Sequence, residues 1–212
     1  MSVELVVTRT EVYAEVTPAG AFYATSSPDQ EGNRAILLHV LREGHRAPFT
    51  TEIASQWAEN NNTDEALRSI FRLQRLGLLR GTHEARTDST LRLEDALPPL
   101  LARLSDQQKT LLADENGFYL AAAGFAHEAA EELAGLSADL LSLQSRHNRL
   151  LKNNLRINTE TWGLLDPSGR SELGFWPLFI GQQRFMLVVS GTPRLQDQSF
   201  VTLVQELDKR YR

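Results

Sequence analysis

The sequence contains no cysteine, which excludes disulfide bonds and thiolate chemistry. Its five histidines are scattered, and none stands in the H-x-x-x-H or H-E-x-x-H spacing of a helical zinc site. A phosphate-binding loop of the form G-x-x-x-x-G-K-[ST] is also missing. No nucleophile, base and orienting group occur together at a recognisable spacing. We therefore predict a non-enzymatic protein with no catalytic residues, no metal site and no cofactor.

The sequence also lacks a long apolar run. Its first residues, MSVELVVTRTEVYAEV, carry acidic side chains where a secretory signal has basic ones, and no segment approaches the roughly 20 apolar residues of a membrane span. The net charge is −5. That sign opposes general binding to nucleic acid or to anionic lipid, because both depend on Lys and Arg to neutralise phosphates. We expect a cytoplasmic protein that does not insert into membranes.

A chain of 212 residues has room for two domains of ordinary size. The polar stretch over residues 83–90, HEARTDST, is the best candidate for a linker between them. We predict an α+β protein with one domain over residues 1–90 and a second over residues 91–212.

The amino-terminal half begins with a segment rich in Val, Thr and Tyr over residues 3–25, interrupted by Pro18-Ala19-Gly20, which predicts a β-hairpin or a strand with a short return. Three short helices follow: one from Asn33 to Gly44, one from Thr50 or Thr51, and one that ends before Gly77. A strand is expected next, over residues 78–82. Three helices that run into a strand resemble a winged-helix domain, over residues 33–90.

Arg68, Arg72 and Arg75 lie on one face of the third of these helices, because offsets of four and seven residues return to nearly the same angle. A DNA-reading helix presents such a face to phosphates and guanines. The alternative is a charged face that only contacts solvent. Residues 1–90 contain nine Arg and twelve Asp plus Glu, a balance of −3, which favours protein docking or dimerisation over DNA binding.

The carboxy-terminal half starts with a leucine stripe over residues 91–104 that predicts a helix, which begins near Pro98 or kinks at Pro98-Pro99. Two strands joined at Asn116-Gly117 come next. A long helix begins near His127. Its residues at alternating spacings of three and four form a heptad seam suited to another helix: Ala126, Ala129, Leu133, Leu136, Leu140, Leu143, His147 and Leu150.

A second apolar flank of the same helix runs beside the seam and is suited to packing on a sheet. Its residues are Ala130, Ala134, Ser137 and Leu141. Three strands are predicted after it, over residues 161–166, 172–180 and 184–190, and a last helix from about Asp197. Among the aromatic residues here, strand alternation places Phe175 and Trp176 on opposite faces. We expect Trp176 to be exposed and available to a partner.

The order helix, two strands, long helix, three strands, helix, with the turn Asp114-Glu115-Asn116-Gly117 and the return strand 118–123, resembles the roadblock/LC7 family. The resemblance covers residues 91–212. It implies a five-stranded antiparallel sheet flanked by helices, and pairing with a second copy through the long helix and the strand 161–166. It therefore implies this dimer interface: Leu133, Leu136, Leu140, Leu143, His147, Leu150 and Trp162.

Roadblock proteins act as scaffolds or activators for small Ras-like GTPases, or as adaptors. The resemblance implies a homodimeric regulatory or scaffold protein that binds such a GTPase. The alternative is a dimeric transcription regulator whose winged helix binds DNA through Arg68, Arg72 and Arg75.

Overall fold

Seven α-helices and two antiparallel sheets make up residues 11–59, 62–85 and 91–212, which are the residues that the computed structural model describes. The amino-terminal half contains these elements: β1 (Tyr13–Val16), α1 (Pro18–Thr25), α2 (Asn33–Glu43), α3 (Thr51–Trp57), α4 (Thr63–Arg75) and β2 (Leu79–Thr82). The helices α2, α3 and α4 and the strand β2 are those that the sequence predicts.

The predicted β-hairpin over residues 3–25 is wrong where the structure describes it. Only Tyr13–Val16 is a strand, and Pro18-Ala19-Gly20 begins α1 instead of turning the chain. Proline suits the first helical position because it has no N–H to leave unpaired, and the Thr17 hydroxyl caps the helix by accepting a 3.1 Å hydrogen bond from the Gly20 N–H. Residues 3–10 lie outside the described residues.

The partner of the strand β1 follows four helices later in the chain. The strand β1 pairs antiparallel with β2, with Tyr13 opposite Thr82 and Val16 opposite Leu79. Gly20 permits this arrangement, because a Cβ atom there would clash with the Leu78 carbonyl oxygen. Within the described residues β2 has no second strand partner, so the β-wing that a winged helix implies is not confirmed.

The carboxy-terminal half follows the predicted order of elements: α5 (Leu93–Ala102), β3 (Thr110–Asp114), β4 (Tyr119–Ala123), α6 (His127–Asn148), β5 (Trp162–Leu165), β6 (Ser171–Ile180), β7 (Gln183–Ser190) and α7 (Gln198–Tyr211). A π-helical segment, Arg149–Asn154, extends α6. The sheet is antiparallel throughout, in the spatial order β4-β3-β7-β6-β5. The edge strands are therefore β4 and β5.

The helix α5 runs through Pro98-Pro99 and begins five residues before them, at Leu93. The expectation that it starts near Pro98 is wrong. Prolines at these positions cannot donate to the carbonyl groups of Glu94 and Asp95. Both of these residues are exposed, so water can satisfy their carbonyl oxygens and the helix tolerates the prolines.

The turn between β3 and β4 is built by Asp114. Its side-chain Oδ1 accepts hydrogen bonds of 2.9 Å from the Asn116 and Phe118 N–H groups. Gly117 supplies the positive φ of +87° that closes this loop. Glu115 lies 3.5 Å from Arg184. Asp114 therefore builds the turn, while Glu115 pairs with β7.

The two faces of the five-stranded sheet are covered differently. On one face a single apolar cluster joins α5, α7 and the amino-terminal helices, and Phe22 of α1 lies 6.2 Å from Phe200 of α7 between ring centroids. On the other face a smaller cluster joins the sheet to α6 alone. Buried residues before and after the proposed boundary near residue 90 therefore share one cluster, while residues 86–90 themselves lie outside the described residues.

A partly buried ion pair fixes α2 on α7. The Arg42 guanidinium donates two hydrogen bonds of 2.7 Å to the Asp208 carboxylate, whose side chain is only 3% exposed. The hydrogen bond from Arg42 to Asp208 raises the pKa of the guanidinium. Gln205 adds a 3.0 Å hydrogen bond from its side-chain amide to the Leu41 carbonyl oxygen. These polar contacts hold α2 against α7 and thereby join the two halves of the chain.

Replacing Arg42 with Leu should lower the free energy of unfolding by about 2–4 kcal/mol, because it leaves the buried Asp208 carboxylate without a partner. The double variant Arg42→Leu/Asp208→Leu should recover most of that loss, since it removes both charges. Urea denaturation of the two variants measures the difference. Equal stability of the single variant and the wild type would show that the pair contributes nothing.

Candidate interaction surface

The helix α6 packs on the sheet through small residues. Ala130, Ala134 and Ser137 are buried, together with Leu141 and Gln144. Small side chains let the helix approach the strands closely, and the Ser137 hydroxyl donates a 2.7 Å hydrogen bond to the Leu133 carbonyl oxygen. The flank that the sequence assigns to a sheet therefore contacts one.

The heptad seam of α6 lies beside this flank and contacts solvent. Leu133, Leu140 and Leu143 are half-buried, whereas Leu136 is 41% exposed. The helix lies mainly across β3, β4 and β7, and on the same face Phe175 of β6 is buried whereas Leu164 of β5 is exposed. The exposed part of this sheet face is therefore its β5 edge.

The edge strand β5 continues the apolar character of the seam. Trp162 is opposite Phe175 and Leu164 is opposite Leu173 in the register with β6. Because residues opposite each other share a face, and Phe175 and Leu173 belong to the α6 cluster, Trp162 and Leu164 face the α6 side. Leu164 is 58% exposed.

We call the combined area the α6–β5 surface. It consists of an apolar helix seam and an apolar edge strand on one side of the sheet: Leu133, Leu136, Leu140, Leu143, Trp162 and Leu164. Contiguous exposed apolar area of this kind marks interaction sites in proteins of this size. The outer backbone edge of β5 is also unpaired within the described residues, and such an edge is a template for another strand.

A turn at Asp166 holds β5 in place. The Asp166 carboxylate accepts hydrogen bonds from the Ser168 hydroxyl and N–H at 2.7 Å and from the Arg170 N–H at 3.0 Å. The Ser168 hydroxyl is the largest cause of a lowered pKa at Asp166. Gly169 supplies a φ of +84°. The strand is therefore fixed at its carboxyl end by a charge-assisted turn.

Gln144 fixes β5 at its other end, and sequence reasoning missed it. The Trp162 indole N–H donates a 3.1 Å hydrogen bond to the Gln144 side-chain oxygen, and Gln144 is only 4% exposed. The signal for Gln144 in the sequence is weak. Gln144 follows Leu141 by three residues and therefore lies on the same flank of the helix as Ala130, Ala134, Ser137 and Leu141. Leu164, two residues after Trp162, is the other residue missed.

Two of the predicted interface residues lie at the end of the seam. His147 and Leu150 are both exposed, Leu150 by 46%. Leu150 already belongs to the π-helical segment. Beyond it Leu155 and Ile157 are exposed by 57% and 40%, so apolar exposure extends past the helix.

The aromatic residue expected to be exposed, Trp176, is half-buried. Its ring covers Gly174, where any Cβ atom would clash, and packs against the first cluster. Phe175 belongs to the second cluster, so the predicted opposite orientation of the two side chains is found. Trp176 thus lies on the face away from the α6–β5 surface.

Arg68, Arg72 and Arg75 are all exposed on α4, opposite the buried Leu67, Ile70 and Leu73. The Arg75 guanidinium lies 6.0 Å from the ring centroid of Phe71, which is itself 46% exposed. These arginines are far in the fold from the α6–β5 surface, since α4 packs on α2, α3 and β2.

A cleft of about 200 Å³ lies between β1, β2, α2 and α7, and there the Arg80 side chain donates to Glu15 at 2.6 Å. The described residues contain no group of three or more His, Asp or Glu that could hold a metal ion. They also form no helix with the length and apolar composition of a membrane span.

Comparison with protein-family models gives no match, and neither does comparison with curated proteins. Among solved structures the chain is similar to Myxococcus xanthus MglB, with a TM-score of 0.37 and 14% sequence identity over 57% of this chain and 96% of that one. A similarity at this level establishes neither a shared family nor a shared function.

Replacing Trp162 with Phe should destabilise the protein by about 1–2 kcal/mol, because the buried Gln144 oxygen loses its hydrogen-bond donor. The double variant Trp162→Phe/Gln144→Leu should recover part of this loss, since no unpaired amide remains. Urea unfolding of the three proteins tests the contact. A double variant less stable than Trp162→Phe alone would contradict it.

Proposed function

We propose that this chain is a non-enzymatic, homodimeric regulatory or scaffold protein of the roadblock/LC7 type, and that it binds a small Ras-like GTPase. The observation that carries the proposal is the α6–β5 surface, where an apolar helix seam lies beside an edge strand whose outer side has no partner among the described residues. An interface formed with a second copy accounts for both features at once.

The physical argument starts from β5. Antiparallel pairing of two β5 edges would satisfy their free backbone groups and join two five-stranded sheets into one. The two α6 helices, each about 33 Å long by helix geometry, would then lie on the same side of that sheet, with their Gln144 ends nearest the joined strands. Leu136 and Leu164 would leave water, and burial of apolar area is the main driving force of association.

The amino-terminal half supports the same choice of surface. Its helices cover the α5 and α7 side of the sheet, so α6 and β5 provide the open side. The GTPase as partner follows from the resemblance of the element order over residues 91–212 to roadblock proteins. The absence of a nucleophile, base and orienting group at recognisable spacing supports a regulatory role over a catalytic one.

Wild-type protein should sediment as a dimer, and Leu140→Glu should convert it to a monomer, because a carboxylate buried in an apolar interface is costly. Leu76→Glu is the matched control: Leu76 is 63% exposed at the end of α4, and this variant should remain dimeric. Sedimentation equilibrium at micromolar concentrations gives both answers. A monomeric wild type would refute the proposed dimer.

The partner can be tested by affinity capture from native lysate in the presence of GTP or GDP, with mass spectrometry of the bound proteins. Wild type should retain a small GTPase in one nucleotide state. Leu140→Glu should lose it if the dimer forms the binding site. Capture without any GTPase in either nucleotide would refute the GTPase part of the proposal and leave the dimer standing.

A second candidate function rests on α4. Its three exposed arginines, Arg68, Arg72 and Arg75, have the placement of a DNA-reading face, and Phe71 adds an exposed aromatic ring among them. Within the described residues Arg68 and Arg72 form no ion pair that would explain their alignment. Under this alternative the protein is a dimeric winged-helix transcription regulator.

Arg68→Ala/Arg72→Ala/Arg75→Ala should abolish salt-dependent binding to duplex DNA if α4 contacts phosphates, because each lost contact reduces the salt slope by about one. A control with three exposed arginines elsewhere, Arg92→Ala/Arg194→Ala/Arg210→Ala, should bind like wild type. Fluorescence anisotropy at about 50 mM and about 200 mM salt measures both. Lack of wild-type binding at the lower salt concentration would eliminate this function.

A further inference from the structure

A cleft of about 250 Å³ lies at the edge of β6, between the two halves of the chain. One wall is formed by the end of α1, the connector after it and the first turn of α2, and the other by residues 158–161, which lead into β5. The strand β5 pairs with β6 only from Ser171 to Phe175, so Pro177 lies beyond the paired part and lines the cleft. No residue of the α6–β5 surface as defined above lines it.

The lining of the cleft combines positive charges with hydroxyl groups. Arg34 and Lys152 are its cations, and among the described residues that line it Glu160 is the only carboxylate, which gives a local balance of +1. Phe22 and Pro177 add an apolar part. Four hydroxyl groups complete the lining, those of Ser26, Ser27, Thr159 and Thr161. The cleft is therefore locally basic on a protein whose net charge is −5.

Arg34 provides the positive charge that is not neutralised. Lys152 and Glu160 pair with each other at 2.6 Å, whereas Arg34 forms no ion pair within the described residues. Its Nε–H donates a 3.1 Å hydrogen bond to the Tyr23 carbonyl oxygen, and its guanidinium lies 4.5 Å from the centroid of the Tyr23 ring. These contacts orient the guanidinium and leave the N–H groups of its two terminal nitrogens available to a ligand.

The opposite wall carries hydrogen-bond donors that the described part of the protein does not use. The Thr161 hydroxyl and the Asn158 amide form no side-chain hydrogen bond there. The Thr159 hydroxyl accepts a 3.1 Å hydrogen bond from the Thr161 N–H, so its own proton remains available. On the α1 side the Ser27 hydroxyl likewise only accepts, from the Asp29 N–H at 3.2 Å. Donors therefore face the cleft from both walls.

The place of Arg34 in α2 also favours a bound anion. Arg34 lies in the first turn of this helix, which contains no acidic residue and has no side-chain cap. The amino-terminal end of a helix disfavours a cation and favours an anion. An anion bound at Arg34 would offset that effect.

We infer that this cleft binds the phosphate group of a small phosphomonoester, with Arg34 as the main ligand of the phosphate. The guanidinium matches phosphate geometry through two parallel N–H donors. A phosphomonoester presents three strong acceptor oxygens, so Thr161 and Asn158 can donate from the other wall to oxygens that Arg34 does not reach. A carboxylate has only two oxygens, in one plane, and would use fewer of these donors.

The apolar part of the cleft and its size limit the organic part of the ligand. Phe22 is half-buried and Pro177 is buried, so together they offer an apolar surface to a ring or a short carbon chain. A volume of about 250 Å³ lies near the lower end of ligand pockets. The ligand is therefore a small molecule, and the site is independent of the proposed dimer.

Titration calorimetry of the full-length chain at low ionic strength tests this inference, with inorganic phosphate, phenyl phosphate and benzoate as probes. Phenyl phosphate should bind more tightly than inorganic phosphate, because its ring can contact Phe22 and Pro177, and benzoate should not bind measurably. Arg34→Met should weaken phenyl phosphate binding about tenfold or more, since it removes a charge-assisted donor pair.

Thr161→Val is the second variant, and it keeps the test decisive if Arg34→Met disturbs the contact with Tyr23. The Thr161 hydroxyl forms no hydrogen bond in the described part of the protein, so this variant should fold like wild type. It should weaken phenyl phosphate binding about threefold to tenfold through the loss of one donor. Hydrogen exchange at residues 158–161 should also become slower when phenyl phosphate binds to wild type.

Arg92→Met is the control, because it removes an exposed arginine outside the cleft and changes the net charge as much as Arg34→Met does. It should bind phenyl phosphate like wild type. Wild type that binds neither inorganic phosphate nor phenyl phosphate would overturn the inference, and so would equal affinity of wild type, Arg34→Met and Thr161→Val. Benzoate that binds as tightly as phenyl phosphate would overturn the assignment to phosphate. A monomeric wild type would refute the proposed dimer and leave this site standing.

Discussion

The five-stranded sheet has two faces, and the need to cover both organises this protein. Three sources of apolar side chains cover the first face: α5, α7 and the amino-terminal helices. Among the described residues the second face is covered by α6, which lies mainly over β3, β4 and β7, and Leu164 of the edge strand β5 remains exposed. Because the second face is covered less completely, another molecule that binds there would bury the most apolar area.

The amino-terminal half acts as part of the first layer. Its α1 contributes Phe22 to the cluster around Phe200, and its α2 is held on α7 by the Arg42–Asp208 pair. A buried carboxylate of this kind is stable only with its partner in place. The outer helix α4 buries Leu67, Ile70 and Leu73 in the same cluster and presents its arginines to solvent on its other side. One half of the chain therefore both completes the core and adds a second exposed surface.

The sequence predicted most of the fold of residues 91–212, because the relevant signals are local. Leucine spacing identified α6 and its seam, and the Asn116-Gly117 turn identified the first hairpin. The sequence pattern wrongly placed residues 18–25 in a β-hairpin, because Thr17-Pro18 suits both a turn and a helix start. It also misjudged the start of α5, because the rule against internal proline is relaxed where exposed carbonyl groups can bind water.

Of the candidate interface, the sequence alone determined which side of α6 is apolar and where its acidic and basic residues stand, since a helical repeat of 3.6 residues fixes both. Only the tertiary structure decided that this side remains uncovered, that Trp162 is joined to Gln144, and that Trp176 packs inward. These outcomes depend on contacts between distant parts of the chain. The Arg42–Asp208 pair, which joins residues 166 positions apart, has no local signal in either segment.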